Sequence, residues 1–344
     1  MIKKILLAAL GLTVLVSAGG ALFLYQAVNA DVDERFAGTC RAVPLPGSGE
    51  DIQVDHQRSL AYVSVFDRLG IAKGEPVEPG MVMRLDLNAD SLQPEPALQG
   101  GPELRPHGLS LFIEPSGQRT LFVINHPEDR ENGAEAIERF IETAPGVFSH
   151  AESFASPLIT RANDMVAVGP RAFYVAQDVD RTSGETLTEL VYFDGETFSV
   201  AADDIQSGGG INVSADNGTL YIAETGGKQI RVAARDADGS IRTLKTIELE
   251  SSPDNIDVAR DGSLWVGAHA NVIALAMHFI VGSDAPSQVL RVEPEADDAV
   301  EVIYMNKGTQ ISAGSAGVPY DDGSGLLIGS ITARKILACD RTAT

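Results

Sequence analysis

Basic residues are scarce in this chain of 344 residues. Lysine and arginine together number 26, against 48 aspartates and glutamates, so the formal net charge is -22 at pH 7. Binding to nucleic acid depends on clustered lysine and arginine side chains that neutralise phosphates and release counterions. The sequence therefore argues against a nucleic-acid partner.

The motifs of several enzyme classes are also missing. The chain has no glycine-rich phosphate loop, no Gly-x-Ser-x-Gly nucleophile elbow, no zinc-ligand spacing and no EF-hand loop. The sequence therefore gives no sign of nucleotide chemistry, of a serine nucleophile on such an elbow, or of zinc. Any catalysis must come from other side chains.

Charged residues are absent from a long N-terminal stretch. Met1-Ile2-Lys3-Lys4 precedes an uncharged run that lasts to Ala30. Two lysines before an apolar core are typical of an export signal, so we expect a periplasmic or extracellular protein. Val28-Asn29-Ala30 resembles a cleavage site, yet residues 5–24 form a hydrophobic helix that nearly spans a bilayer. Residues 1–30 are thus either a signal peptide or a signal anchor, and an anchor would attach the protein to a membrane.

Cysteine occurs only twice, as Cys40 and Cys339. In an oxidising compartment these two side chains should form a disulfide that joins the first strand to the end of the chain. The chain-entropy model assigns about 5 to 6 kcal/mol to so long a loop, as an upper figure. Two unpaired buried thiols are the alternative.

Short apolar phrases recur along the whole chain. They lie at residues 60–63, 121–124, 173–176, 220–223, 264–267 and 326–329, at intervals of roughly 44 to 62 residues. A hairpin that repeats at such intervals is typical of propeller blades with four short strands each. The sequence therefore predicts an all-β, six-bladed β-propeller over residues 31–344, closed by the disulfide.

Paired oxygen-bearing side chains stand at the heads of three predicted inner strands. The pairs are Glu50-Asp51, Asn163-Asp164 and Asp254-Asn255. The first strands of propeller blades line the channel, and consecutive strand residues diverge, so paired ligands suggest two stacked metal sites. Carboxylate and amide oxygens favour calcium over zinc. The alternative is that these residues only cap turns.

Three histidines have informative positions. His107 occupies the strand-head position of the second blade and is the best acid/base candidate. His126 and His269 end the second phrases of their blades, so one or both are candidates for the channel mouth, although a histidine at such a place is often an ordinary turn residue. The fourth blade has Gly209 where the other strand heads place ligands, and glycine offers no side-chain oxygen.

Several phrases together resemble the serum paraoxonase/arylesterase family, and the likeness extends from Cys40 to Cys339. They include Pro106-His107-Gly108-Leu109-Ser110, Val123-Ile124-Asn125-His126-Pro127, Asn163-Asp164-Met165-Val166-Ala167-Val168 and Asp254-Asn255-Ile256. The resemblance implies a six-bladed, calcium-dependent hydrolase of lactones and aryl esters.

The resemblance also implies a role for each site residue. A catalytic calcium ion would be held by Glu50, Asn163, Asp254 and Asn255. A second, structural calcium ion would be held by Asp51, Asp164 and the backbone carbonyl of Leu109. The first ion would polarise the ester carbonyl while His107, supported by His126, activates water; Glu50 is the alternative base.

Three departures from the family pattern limit this transfer. Gly209 replaces an asparagine ligand, Ala268 replaces a cysteine, and the loop over residues 177–190 is much shorter than the family's lid. The alternatives are a propeller enzyme of the gluconolactonase or strictosidine-synthase-like type and a non-catalytic propeller that binds a ligand or protein. Calcium-dependent turnover of phenyl acetate and of a lactone would separate these three hypotheses.

Overall fold

The computed structural model describes residues 32–342, apart from 131–132, 181–182 and 297. The predicted signal peptide or signal anchor over residues 1–30, including its hydrophobic helix, lies outside the described residues. None of the helices within the described residues is long and apolar enough to cross a membrane.

Four-stranded antiparallel sheets make up the first three blades, numbered I to III. Blade I contains β3 (Ser48–Asp55), β4 (Leu60–Phe66), β5 (Met81–Asp86) and β6 (Glu95–Pro96). Blade II contains β8 (Pro106–Ile113), β9 (Arg119–Asn125), β10 (Ala136–Ala144) and β11 (Val147–Phe154), with β7 (Leu98–Gln99) added at its edge. Blade III contains β12 (Ala162–Ala167), β13 (Phe173–Gln177), β14 (Thr188–Phe193) and β15 (Phe198–Ile205).

The remaining blades, IV to VI, use both ends of the chain. Blade IV contains β16 (Gly208–Val213), β17 (Thr219–Glu224), β18 (Gln229–Arg235) and β19 (Ile241–Glu248). Blade V contains β20 (Ser252–Val258), β21 (Leu264–His269), β22 (Ser287–Glu293) and β23 (Ala299–Asn306), with β1 (Arg35–Phe36) at its edge. Blade VI contains β24 (Gly314–Tyr320), β25 (Gly325–Ser330), β26 (Lys335–Arg341) and β2 (Gly38–Pro44).

Helices occur only as short connections within the described residues. Helix α1 (Arg68–Ala72) follows β4, and the side chain of Asp67 accepts a hydrogen bond from the Gly70 amide at its N-terminus. Helix α2 (Val272–Val281) links β21 to β22, and a 3₁₀ turn (Asp321–Gly323) links β24 to β25. An aspartate or asparagine begins α1 and α2 because its side-chain oxygen satisfies an amide of the first turn.

The second and the last strands close the ring. β2 pairs antiparallel with β26, so a strand from the start of the chain completes blade VI, the last blade of the chain. Cys40 and Cys339 face each other in this pair and form a disulfide. The predicted disulfide is therefore confirmed, and it joins residues separated by 299 positions in the sequence.

The core is divided among the spaces between blades. Six clusters of buried side chains appear in the described residues, and each cluster is shared by two neighbouring blades. Between blades II and III, for example, Phe122 packs on Phe173 with ring centroids 5.6 Å apart. Each inner strand also contacts the inner strand of the next blade, and β24 contacts β3. The predicted six-bladed propeller is confirmed.

Candidate active site

A bulge near the head of every inner strand shapes one end of the channel. In each blade the pairing between the first and second strands shifts there, and the first unpaired residue of each shift occupies an equivalent position. These six equivalent positions are Glu50, His107, Asn163, Gly209, Asp254 and Ser315. A bulge breaks the strict alternation of faces, so consecutive residues such as Glu50 and Asp51 can both approach the channel.

Glu50 connects blades I, II and V. Its Oε1 accepts a hydrogen bond of 2.8 Å from Asn255 Nδ2, and its Oε2 lies 3.4 Å from His107 Nε2. Arg68, which begins α1, brings a guanidinium nitrogen to 3.9 Å from the same Oε2. Asp254 lies beside this group and accepts from His269 at 3.0 Å. The structure thus brings the proposed base and three of the predicted calcium ligands to one end of the channel.

A second group links blades I to IV through backbone contacts. Asp51 Oδ2 accepts a 2.6 Å hydrogen bond from the amide of Leu109, and Asp164 Oδ2 accepts a 2.8 Å bond from the amide of Ile211. Gly108 lies between them; a β-carbon there would lie only 2.4 Å from Asp164 Oδ1. Glycine is needed at this bulge because the neighbouring inner strand passes so closely.

Several buried oxygens in these two groups have no hydrogen-bond partner. They are Glu50 Oε2, Asn163 Oδ1, Asn255 Oδ1 and Asp164 Oδ1. A buried oxygen without a partner costs free energy that a bound cation would offset. Within the described ranges, no group of three or more His, Cys, Asp or Glu side chains is placed to hold a metal ion. The unpartnered atoms are carboxylate and amide oxygens, a donor set that suits a hard cation such as calcium.

Burial raises the pKa values of the channel carboxyl groups. The pKa of Glu50 rises to about 8, because desolvation and the nearby Asp254 and Asp51 outweigh the favourable charge of Arg68. Burial likewise raises the pKa of Asp51 to about 7 and that of Asp164 well above its usual value. Without added positive charge these groups therefore tend to keep their protons.

His107 and His126 form a hydrogen-bonded pair. His107 Nδ1 lies 2.9 Å from His126 Nε2, and His126 Nδ1 lies 2.6 Å from Glu135 Oε2. Burial lowers the pKa of both imidazoles well below the usual value, and the neighbouring Arg68 and Arg130 lower it further. Both rings are therefore neutral at physiological pH, the form in which an imidazole accepts a proton.

The two remaining candidates lie near Asp254. His269 ends β21, is only 6% exposed and is bonded to Asp254, so it supports a carboxylate instead of lining an open mouth. Gly209 occupies the fourth bulge, where a β-carbon would lie 2.5 Å from Thr225 Oγ1. The Thr225 side chain therefore fills the space of the missing asparagine.

Sequence reasoning missed three charged residues near this end of the channel. Arg68 faces Glu50, Glu135 faces His126, and Arg130 binds Glu135. Glu135 directly precedes β10, whose first residue pairs with the residue before His126. Only the register of this hairpin could have indicated the contact, and the sequence does not specify that register.

The first prediction concerns the metal-free protein. Folded Glu50 and Asp51 keep protons up to about pH 8 and 7, whereas unfolded carboxyl groups lose them near pH 4. The folded state then binds more protons, so the free energy of unfolding falls as pH rises, by about 1.4 kcal/mol per unit for each proton retained. The neutral histidines act oppositely, but only below about pH 6.5. With a chelator present, we expect a lower melting temperature at about pH 8.5 than at about pH 6.5.

The matched control for this prediction is Glu50→Gln. Glutamine preserves the shape of the side chain but does not titrate, so the pH dependence should weaken. A melting temperature of the chelated wild type that rises between the same two pH values would show that these carboxyl groups are ionised without metal.

Solved structures with the same architecture show the fold. A luciferin-regenerating enzyme superposes with a TM-score of 0.54 at 12% identity, covering 89% of this chain and 98% of that one. A putative gluconolactonase superposes with a TM-score of 0.55 at 14% identity, covering 90% and 97%. At such low identity these likenesses concern architecture alone.

Sequence relatives give a more specific result. Serum paraoxonase/arylesterase 2 of Gallus gallus is 29% identical over 97% of this chain and 98% of its own length. Serum paraoxonase/arylesterase 1 of Rattus norvegicus is 30% identical over 86% of each chain. The arylesterase family model matches residues 49–341. The resemblance seen in the sequence is confirmed, and the chain belongs to the arylesterase family.

Proposed function

We propose that this protein is a calcium-dependent hydrolase of lactones and aryl esters. One observation carries the proposal: the His107–His126 pair lies directly beside Glu50, whose Oε2 is buried without a hydrogen-bond partner and is therefore available to a cation. The names of the relatives, paraoxonases and arylesterases, support ester hydrolysis as the reaction class.

The site residues have two roles in this proposal: some would bind calcium, and others would transfer a proton. Glu50, Asn163, Asp254 and Asn255 would hold the catalytic calcium ion, and Asp51, Asp164 and the carbonyl of Leu109 the structural one. When bound, the first ion supplies polarisation of the ester carbonyl and stabilises negative charge on its oxygen.

His107 performs the proton transfer in this proposal. Its neutral ring accepts a proton from the attacking water, and His126 holds the ring in place from the opposite side. Glu50 remains the alternative base because its Oε2 lies only 3.4 Å from the same ring. His269 keeps Asp254 oriented through a 3.0 Å contact.

The test is turnover of phenyl acetate and of a medium-chain lactone by the purified domain. We expect activity with calcium, none with excess chelator, and recovery when calcium is restored. His107→Gln should lower kcat by about two to four orders of magnitude, the range usual for a general base, with calcium affinity nearly unchanged.

Three outcomes would contradict parts of this proposal. Hydrolysis that persists in excess chelator would show that the enzyme does not require calcium. Full lactone turnover by His107→Gln would show that Glu50, and not His107, is the base. Stoichiometric calcium binding without hydrolysis of either substrate would favour a binding propeller.

The fourth blade supplies a separate prediction about calcium affinity. Gly209 does not adopt a positive φ, so asparagine is compatible with its backbone, but the Thr225 hydroxyl occupies the space and donates a 2.8 Å bond to the carbonyl of Pro253. We therefore compare Gly209→Asn/Thr225→Ala with Thr225→Ala alone. The added amide oxygen should lower the calcium Kd about tenfold, or about 1.4 kcal/mol, in a calorimetric titration. Equal affinities in two folded variants would show that blade IV does not reach the ion.

We also propose that the protein is exported and retained on a membrane by residues 5–24. The disulfide suits an oxidising compartment. Glu34 accepts hydrogen bonds from the side chain of Asn306 and the amide of Lys307, so the chain enters the propeller at the end where the active site lies. Helix α2 leads into β22, whose first residue pairs with Asn306, and it exposes Ile280 and Val281 by 73% and 64%.

Cell fractionation tests this retention. The wild-type chain should sediment with membranes, and a form in which residues 1–30 are replaced by a cleavable signal peptide should be exported and remain soluble. Recovery of the exported wild type in the soluble fraction, without its N-terminal segment by mass spectrometry, would show that the segment is a cleaved signal peptide.

A further inference from the structure

A continuous series of hydrogen bonds runs behind the histidine pair. Arg130 contacts Glu135 Oε1 through Nε at 3.1 Å and through a terminal nitrogen at 3.0 Å. The other carboxylate oxygen lies 2.6 Å from His126 Nδ1, and His126 Nε2 lies 2.9 Å from His107 Nδ1. Each of the four groups therefore touches the next, and the series ends at His107 Nε2, 3.4 Å from Glu50.

The donors and acceptors in this series can be assigned from Arg130 onward. A guanidinium only donates hydrogen bonds, and an ionised carboxylate only accepts them. Glu135 must therefore accept from Nδ1–H of His126, which leaves His126 Nε2 as an acceptor. That nitrogen then accepts from Nδ1–H of His107. Within this series the last nitrogen, His107 Nε2, keeps its lone pair, while the carbonyl of Ala162, which also accepts from Arg130, lies against the same ring.

The reverse order would disable the proposed base. A protonated Glu135 would donate to His126 Nδ1, His126 Nε2–H would donate to His107 Nδ1, and His107 Nε2 would carry a proton. Burial raises the pKa of Glu135 to about 7, and the two guanidinium contacts of about 3 Å oppose this rise, so the ionised carboxylate and its order prevail above that pH. The Glu135 side chain is 1% exposed, so water does not compete for its oxygens.

We propose that Glu135, held by Arg130, is a positioning residue that fixes the tautomers of both histidines and keeps His107 Nε2 free to accept a proton. This inference rests on the proposed function, because it assigns Glu135 a part in the same hydrolysis. Arg130 also lines an open pocket of about 1050 Å³ together with Arg161 and Gln177.

Glu135→Gln is the informative substitution. Because Arg130 only donates, the single oxygen of the amide must face it, and the NH₂ group is then directed at His126 Nδ1. The whole series reverses and places a proton on His107 Nε2. We expect kcat for the lactone to fall about a hundredfold with little change in KM, whereas Glu135→Asp, which keeps the charge, should retain more activity.

Two further variants separate positioning from simple damage to the fold. Glu138→Gln is the matched control, since Glu138 is an equally buried glutamate on β10 that contacts His150 at 2.8 Å; its activity should match the wild type. In a His107→Gln background, Glu135→Gln should cost almost nothing more, because both act through one ring. Additive losses or full activity of Glu135→Gln would overturn the proposal.

A measurement that needs no substrate makes this test independent of the proposed function. The chain has six histidines, so ¹⁵N-histidine labelling resolves each ring by NMR. At about pH 8.5, where Glu135 is ionised, we expect Nδ1–H tautomers at His107 and His126 in the wild type and Nε2–H tautomers in Glu135→Gln. Nε2–H tautomers in the wild type would overturn the proposal. The expected tautomers without ester or lactone turnover would instead refute the proposed function alone.

Discussion

The concentration of buried negative charge in the channel is the constraint on which the rest of the site depends. Glu50, Asp51, Asp164 and Asp254 come from three blades, and each is at most 7% exposed. Carboxylates this close repel one another and lose their hydration, so a protein can keep them ionised only by adding positive charge. Arg68 supplies part of it at 3.9 Å from Glu50. A divalent cation bound by the unpartnered oxygens in the same place would supply the remaining positive charge.

In this architecture the contacts that assemble the site form only when the ring closes. Asn255 donates to Glu50 across a separation of 205 residues, and Ser315 Oγ donates to the Glu50 carbonyl across 265. Neither contact forms until blades V and VI have closed on blade I. The β2–β26 pair and its disulfide stabilise this closure from the outer edge. A cation bound at the axis would stabilise the same closed ring, so metal affinity and fold stability are linked.

Periodicity explains which parts of the site could be predicted. Strand heads recur with the apolar phrases, so the channel positions of Glu50, His107 and Asp254 follow from blade count alone. The bulges that let Glu50 and Asp51 share the channel leave no such pattern, because a bulge changes register without changing composition. The contact of Glu135 with His126 could not be predicted for a related reason, because the register of the hairpin determines it. His269 could be placed near the mouth, but its burial against Asp254 depends on packing between strands.

The fourth blade shows why the loss of a ligand need not mean the loss of a metal site. An asparagine contributes a neutral oxygen, so in the proposed site Gly209 would remove one coordination position without changing the charge. Affinity for a hard cation depends strongly on the number of charged ligands and on rigidity. Both are retained here, since Thr225 fills the vacated space and its bond to the Pro253 carbonyl fixes the strand that carries Asp254. In the proposed calcium site the substitution would therefore alter the coordination number and leave the electrostatic attraction for the cation in place.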